Sequence, residues 1–445
     1  CRIGRRVCLP GGSRVSPGRG GTDRFLAAGA QMAHQICRDA IWYEDRCNWV
    51  GAAREEGPNG QPTLAYRSLG PDLYGGTSGV AVFLAHAHDA AGESASRRTS
   101  LGAIRHAIAT VDRPGVQGGS GLYTGRLGVA LAAAWVGAVL REAGLLEQAA
   151  SMVDGLEPFG GKDYDLLSGR AGAILGLLVL RRLLGDDELL HRAVRFGDEL
   201  LEGADRTRAG FSWASPGYPT LGNLTGFSHG AAGAASALLE LFAATGDPGY
   251  RQGAEQAFAY ERSLFDPEAR NWPDLRAPPG RGEGAPPSFA TFWCHGAPGI
   301  ALSRLRGYQM LQDEVLRTEA CAAVQTTTEA VAAGLSSRAG NYSLCHGHAG
   351  NAEILLDAAT MLGSGHGPGG DLALEVAEAG IESYGNRPEP WPCGTYEGVT
   401  PNLFLGLAGI GHFYLRLHNP RIPSPVMLRP EVFACGAIAG AEPPS

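Results

Sequence analysis

Two Cys-His-Gly triplets, Cys294-His295-Gly296 and Cys345-His346-Gly347, lie 51 residues apart. Each opens an apolar run, "GAPGIALSRL" and "GHAGNAEILL". Thiolate sulfur and imidazole nitrogen are the ligands zinc prefers. Four protein ligands would close such a site as a structural one, whereas three would leave a position for a reacting group. Neighbouring side chains at a tight turn need not point the same way, so His295 stays open as a fourth ligand. Two further residues could move protons: His229 in "GFSHGAAG" and Asp165 in "YDLLSGRAG".

The elements that must position these groups show up as a repeat. The pattern G-x-x-G followed by an Ala/Leu-rich run starts at Gly76, Gly125, Gly169, Gly230, Gly296, Gly347 and Gly406. The motif contributes two glycines per repeat to a glycine content of 66 of 445 residues, about twice the usual share of roughly 7%. Each run is apolar nearly all round, as a buried helix is. Amphipathic stretches such as 255–264, 314–334 and 371–385 fall between them. No convincing strand alternation appears. Each unit reads as an outer helix, a loop, a Gly turn and an inner helix. The expected fold is all-α, an α/α toroid of seven helix-pair repeats over residues 25–433. An open solenoid competes, but it needs polar end caps, and the seventh run is as apolar as the rest. The first Gly of each motif is expected to allow a tight turn, and the second a close backbone approach.

Aligning the repeats on that first Gly brings the chemistry together. The residue before it is Gly75, Thr124, Ser168, His229, His295, His346 and Leu405. The one before that is Tyr74, Tyr123, Leu167, Ser228, Cys294, Cys345 and Phe404. Equivalent positions in a closed ring face one space, so the cysteines and three consecutive histidines should share one mouth. Four residues before the Gly stand Asp165 in repeat three and Asp72 in repeat one. Simpler roles exist for each: buried structural cysteines, a helix-capping Asp165, a hydrogen-bonded His229 and a packed His295. His348 reads as a solvated loop residue, and Tyr74 and Tyr123 as mouth-lining.

Composition removes other classes. A net charge of −8, spread along the chain, lacks the basic footprint of a nucleic-acid binder. Every apolar run is interrupted before the roughly 18 residues of a membrane span. Nine thinly spread cysteines indicate a reducing, cytoplasmic setting and metal or reactive thiols rather than a disulfide framework. Of the rest, Cys37, Cys47, Cys321, Cys393 and Cys435 read as structural or incidental. The chain opens on Cys1, and residues 1–24 read as a flexible lead-in cut from something longer, with 434–445 as a tail. The Pro/Gly/Arg-rich stretch 266–289 before Cys294 reads as a lid or peptide-guiding flap.

"WCHGAPG", "LCHGHAG", "GFSHGAAG" and "YDLLSGRAG" resemble the lanthionine synthetase C-like (LanC-like) cyclases. "SLGPDLYGGTSGVAVFLAHA" and "PNLFLGLAGIGHFYLRLHNPRIPSPVML" resemble in particular the C-terminal cyclase domain of the class II synthetases, LanM. The resemblance implies an α/α toroid and a zinc ion on Cys294, Cys345 and His346, with His295 nearby but unbound. It implies His229 as acid/base residue and Asp165 as its partner. The implied partners are a dehydrated precursor peptide with its leader segment and a dehydratase domain, normally fused ahead of the cyclase and absent here.

The implied chemistry is addition of a peptide cysteine thiol to dehydroalanine or dehydrobutyrine, forming a lanthionine or methyllanthionine thioether. A free thiol with a pKa of about 8.5 is mostly protonated at neutral pH, and a coordinated one is deprotonated. Two protein thiolates, a neutral His and the substrate thiolate give the zinc site a net charge of −1, which keeps the bound sulfur nucleophilic. His229 is then the candidate acid for the α-carbon. Asp165 either orients and charges that imidazole or takes the thiol proton, and the sequence does not choose. Alternative functions are joining glutathione to dehydrated residues and a non-catalytic peptide-binding toroid. A glycosidase using Asp72 and Asp165 as paired carboxylates would leave the Cys-His pairs unexplained.

Overall fold

The computed structural model describes residues 22–56, 62–113, 119–215, 220–276, 288–363, 368–385, 387–395 and 398–433. Most of the lead-in, the tail with Cys435, and the middle of the proposed flap at 277–287 lie outside the described residues.

Seven inner helices each begin immediately after the first Gly of a G-x-x-G motif. They are α2 (Thr77–Ala91), α4 (Arg126–Leu140), α6 (Arg170–Leu184), α8 (Ala231–Thr245), α10 (Ala297–Leu311), α12 (His348–Met361) and α14 (Leu407–His418). The outer helices are α1 (Asp23–Arg38), α3 (Ser94–Thr110), α5 (Ala143–Asp154), α7 (Glu188–Glu202), α9 (Pro248–Ser263), α11 (Glu314–Ser337) and α13 (Pro368–Gly380). The burial patterns differ as the sequence requires. In α2 every residue from Thr77 to Ala87 is buried. In α7 only Leu189, Ala193, Phe196, Gly197 and Leu200 are, one stripe at helical spacing.

Each inner helix packs on the next, and α14 packs on α2, so the ring is closed. The pairing runs differently from the expected outer-then-inner unit. Each inner helix packs most closely on the outer helix that follows it, while α1 covers α14. The first helix therefore fastens the last repeat.

The second Gly of every motif is set by close approach. At Gly79, Gly128, Gly172, Gly233, Gly299, Gly350 and Gly409, an added Cβ would overlap the carbonyl oxygen of the residue six positions earlier. The turn ahead of each inner helix is thus folded flat against its first turn. The first Gly is crowded too, but its backbone is extended in six repeats; only Gly296, at φ 86°, is left-handed.

Three small antiparallel hairpins depart from the all-helical expectation: β1 (Ile41–Tyr43) with β2 (Arg46–Asn48), β3 (Val50–Glu56) with β4 (Pro62–Ser68), and β5 (Asp205–Thr207) with β6 (Gly210–Ser212). Four of these strands have three residues, too few to show a period of two. No helix among the described residues is long and apolar enough to cross a membrane.

Candidate active site

The seven Gly turns are joined to one another by backbone hydrogen bonds. Tyr74 N–H donates to the Tyr123 carbonyl (2.9 Å), Tyr123 N–H to Leu167 (2.8 Å) and Leu166 N–H to Ser228 (3.0 Å). Ser228 N–H then donates to Cys294 (3.2 Å), Trp293 N–H to Cys345 (2.9 Å) and Cys345 N–H to Phe404 (3.0 Å). Phe404 N–H returns to Tyr74 (3.0 Å), completing the circle. The repeat position that carries the cysteines is therefore a continuous collar at the mouth. Cys294 and Cys345 sit at adjacent stations of it.

Their thiols act on one another, and in opposite directions. Donation from Cys345 pulls the Cys294 thiol below its ordinary range against burial, aided by the positive charge of Arg276. Burial and then the Cys294 sulfur push Cys345 up, opposed by a hydrogen bond from Tyr74.

His346 follows Cys345 in the same turn. Its Nε2 lies 2.8 Å from the Gly394 carbonyl, an acceptor, so Nε2 carries the proton and Nδ1 keeps its lone pair. Burial lowers its pKa, which favours the neutral ring. A neutral imidazole with one nitrogen fixed on a carbonyl is the state of a metal-binding histidine. Among the described residues, no three His, Cys, Asp or Glu side chains are gathered closely enough to hold a metal ion. The donor types and the His346 tautomer nevertheless fit zinc: two meeting thiols and one ring nitrogen with a lone pair.

On the neighbouring stations, His229 Nδ1 lies 2.7 Å from Asp165 Oδ2. Asp165 Oδ1 accepts from Ser168 N (2.7 Å), Ser168 Oγ (3.0 Å) and Gly169 N (3.0 Å). Burial would raise the Asp165 pKa, but His229 and these donors outweigh it and hold the carboxyl below its usual range. Other repeats cap the turn in the same way, with Asp72 Oδ1 accepting from Gly75 N and Asn402 Oδ1 from Leu405 N at the equivalent places. Asp165 alone of these three is paired with a histidine in the hydrogen bonds described. Asp72, with burial dominant, is pushed up to about 6.

The His295 ring lies 5.8 Å from that of His229, and its buried Nε2 has no hydrogen-bond partner in the structure. Burial, Arg276 and His229 bring its pKa down to about 3, with Asp274 opposing, so the ring is neutral.

The profile of the lanthionine synthetase C-like protein family matches residues 67–428. The chain belongs to the lanthionine synthetase C-like family. Among solved structures, nisin cyclase superposes with a TM-score of 0.58 at 17% identity, over 78% of this chain and 89% of that one. At that identity the likeness concerns the fold. The GH76 α-mannanase of Bacteroides thetaiotaomicron gives a TM-score of 0.49 at 12% identity, covering 91% of this chain and 98% of that one. Cellobiose 2-epimerase from Spirochaeta thermophila gives 0.46 at 14%, covering 90% and 99%.

Within this LanC-like toroid, Tyr123 and His348 differ from their expected roles, whereas Tyr74 is half-buried beside Cys345. Tyr123 does not line the mouth: it is 1% exposed, and its hydroxyl donates to the Pro425 carbonyl at 2.9 Å. Tyr74 stacks on Phe404, with ring centroids 4.7 Å apart. His348 is the first residue of α12 rather than a solvated loop residue; its Nε2 lies 2.8 Å from the Ala339 carbonyl.

Sequence reasoning missed Asp274 and Arg276, an ion pair in the stretch before Cys294. Both act electrostatically on Cys294 and His295. It also missed the groups that fix the turns. Asn271 Oδ1 accepts from Ala297 N, the first amide of α10, at 2.8 Å. Buried Glu261 Oε1 accepts from Gly226 N and Ala232 N, at 2.8 and 3.0 Å. Such single polar residues in loops and outer helices carry no sequence signal of their own. The base of the expected flap is anchored here, by bridges Asp274–Ser288 and Thr220–Arg276.

Proposed function

We propose that this chain is a zinc-dependent lanthipeptide cyclase. It adds a cysteine thiol of a dehydrated precursor peptide across a dehydroalanine or dehydrobutyrine of the same peptide. The observation that carries the reading is the collar, which sets a thiol pair on two stations and a His–Asp pair on the two before them. Cys294, Cys345 and His346 would hold zinc, and a zinc ion bound there would supply the positive charge that keeps a substrate thiol deprotonated.

The remaining steps belong to protein groups. The substrate sulfur bonds to the β-carbon, and the alkene electron pair moves to the α-carbon and its carbonyl as an enolate. A proton at the α-carbon completes the addition. His229 has Nδ1 committed to Asp165, so Nε2 delivers that proton. Asp165 stays ionised, fixes the imidazole tautomer and stabilises its protonated form. The proton given up by the thiol restores His229. One S–H and one C=C are thereby exchanged for one C–S and one C–H. The dehydration that makes the alkene needs a separate active site, as in the LanM synthetases that the chain resembles. A reducing, cytoplasmic compartment suits a site built on free thiols.

Cyclisation leaves peptide mass unchanged, so the test is thiol trapping. A synthetic dehydrated peptide with one cysteine is incubated with the protein and then treated with N-ethylmaleimide. Ring formation leaves the peptide unlabelled, with one deuterium gained in heavy water. A glutathione adduct formed when glutathione is supplied would favour the glutathione-joining alternative. Full maleimide labelling with tight binding would favour a scaffold.

A further inference from the structure

Beneath the collar, the chain after α14 does something unusual for a loop. Residues 422–428, Ile-Pro-Ser-Pro-Val-Met-Leu, are all buried, yet form no helix or strand. Buried irregular backbone must find partners for its polar groups. Prolines lighten that demand because each removes an N–H, and Pro423 and Pro425 fall inside this stretch. The carbonyls are answered by side chains from around the ring. Arg416 Nε donates to the Ile422 carbonyl (3.0 Å), Tyr123 Oη to Pro425 (2.9 Å) and Trp293 Nε1 to Val426 (2.8 Å). Ser424 Oγ donates to Glu353 Oε2 at 2.6 Å. Further on, Glu431 pairs with Arg306, and Phe433 packs edge-on against Trp135. The segment therefore threads the interior of the toroid and touches repeats on several sides of it.

Trp293 joins this plug to the collar. It is completely buried. Its backbone N–H holds the Cys345 carbonyl, its indole N–H holds Val426, and the next residue is Cys294. Its ring contacts Phe404, Tyr123 and Phe227, with centroids 4.9, 5.7 and 5.9 Å away.

We propose that residues 422–428 form the floor of the thiol site and that Trp293, anchored on that floor, is the positioning residue that holds Cys294 beside Cys345. The proposal rests on the cyclase reading for what the site does, and on the geometry alone for the positioning.

The test uses the full chain and compares Trp293→Phe with Trp49→Phe. Trp49 is equally buried, and its indole N–H donates to the Ile36 carbonyl at 2.8 Å, far from the collar in sequence. Both substitutions keep an aromatic ring and orphan one carbonyl. Hydrogen exchange of the Ser228 and Cys345 amides is measured, followed by cobalt(II) titration monitored by the thiolate-to-metal absorption band. Trp293→Phe is expected to speed exchange at both amides and weaken cobalt binding, each by about tenfold, the effect of one lost buried hydrogen bond. Trp49→Phe should leave both unchanged. Equal effects of the two variants, or no effect of Trp293→Phe on exchange, would overturn the proposal. Wild type that binds no cobalt would count against the metal reading, and the exchange comparison would still decide the positioning. If Trp293→Phe does not fold, Tyr123→Phe, which releases the Pro425 carbonyl, must speed the same two amides; unchanged exchange there would also overturn it.

Discussion

The backbone N–H of Trp293 donates to the carbonyl of Cys345 at 2.9 Å. This one bond joins repeat five to repeat six at the station where each carries its cysteine. It explains how thiols 51 positions apart come into contact. The same bond type continues around all seven repeats, so the collar both closes the toroid and assembles the site.

Asp165 is expected to matter for turnover and Asp72 not to, although both cap equivalent turns. Asp165→Asn keeps an oxygen for the Ser168 and Gly169 amides but takes the charge away from His229. Turnover of a dehydrated peptide, followed by thiol trapping, should fall by about 10²-fold, the lower range for acid–base catalysis. Asp72→Asn changes a carboxyl bonded to its own turn at Gly75 and should stay near wild type. Similar losses in both would make Asp165 a cap and nothing more.

The second glycines should be far less tolerant than an uncrowded helical glycine such as Gly144. A Cβ at Gly350 would overlap the Leu344 carbonyl, whereas at Gly144 it meets nothing within 4 Å. Denaturant unfolding should show Gly350→Ala destabilised by more than about 2 kcal/mol. Gly144→Ala should gain roughly 0.5 kcal/mol from helix propensity. Equal effects would contradict the packing account.

Stability should fall on acidification before the carboxylates titrate. Burial brings the His86 pKa down to about 3 and holds His412 well below its ordinary value, with His86 and Arg416 adding to the second shift. His86 accepts from the Trp135 indole at 2.9 Å, which also requires an unprotonated nitrogen. Below a pH of about 6.5 the unfolded chain takes up protons at these positions and the folded chain does not. The unfolded state then binds more protons, so stability decreases as pH falls from there towards about 3. Thermal melts across this range should show the slope, and His86→Gln should flatten it. A slope unchanged by that substitution would assign the acid sensitivity elsewhere.

The glycine period made the inner helices and their N-termini legible, because a close-approach glycine leaves the same mark in every repeat. Cys294, Cys345, His229 and Asp165 were legible as neighbours for the same reason: equivalent positions in a ring share a mouth. Position in the repeat could not tell Asp165 from Asp72, since the difference is the reach of His229 across one repeat boundary. Nor could it place Tyr123, whose hydroxyl is held by a segment some three hundred positions away. Two of the hairpins were illegible because three-residue strands have no period, and the third because β3 reads Val-Gly-Ala-Ala-Arg-Glu-Glu, with no apolar alternation. The pairing of α1 with α14 leaves no local pattern, since it joins the two ends of the ring.

The most direct test is zinc content per chain, measured by elemental analysis on wild type and on Cys294→Ala, Cys345→Ala, His346→Ala and His295→Ala. The account predicts one zinc in wild type and in the His295 variant, and its loss in the other three. No zinc in wild type after reconstitution, or loss in the His295 variant as well, would contradict an open three-ligand site.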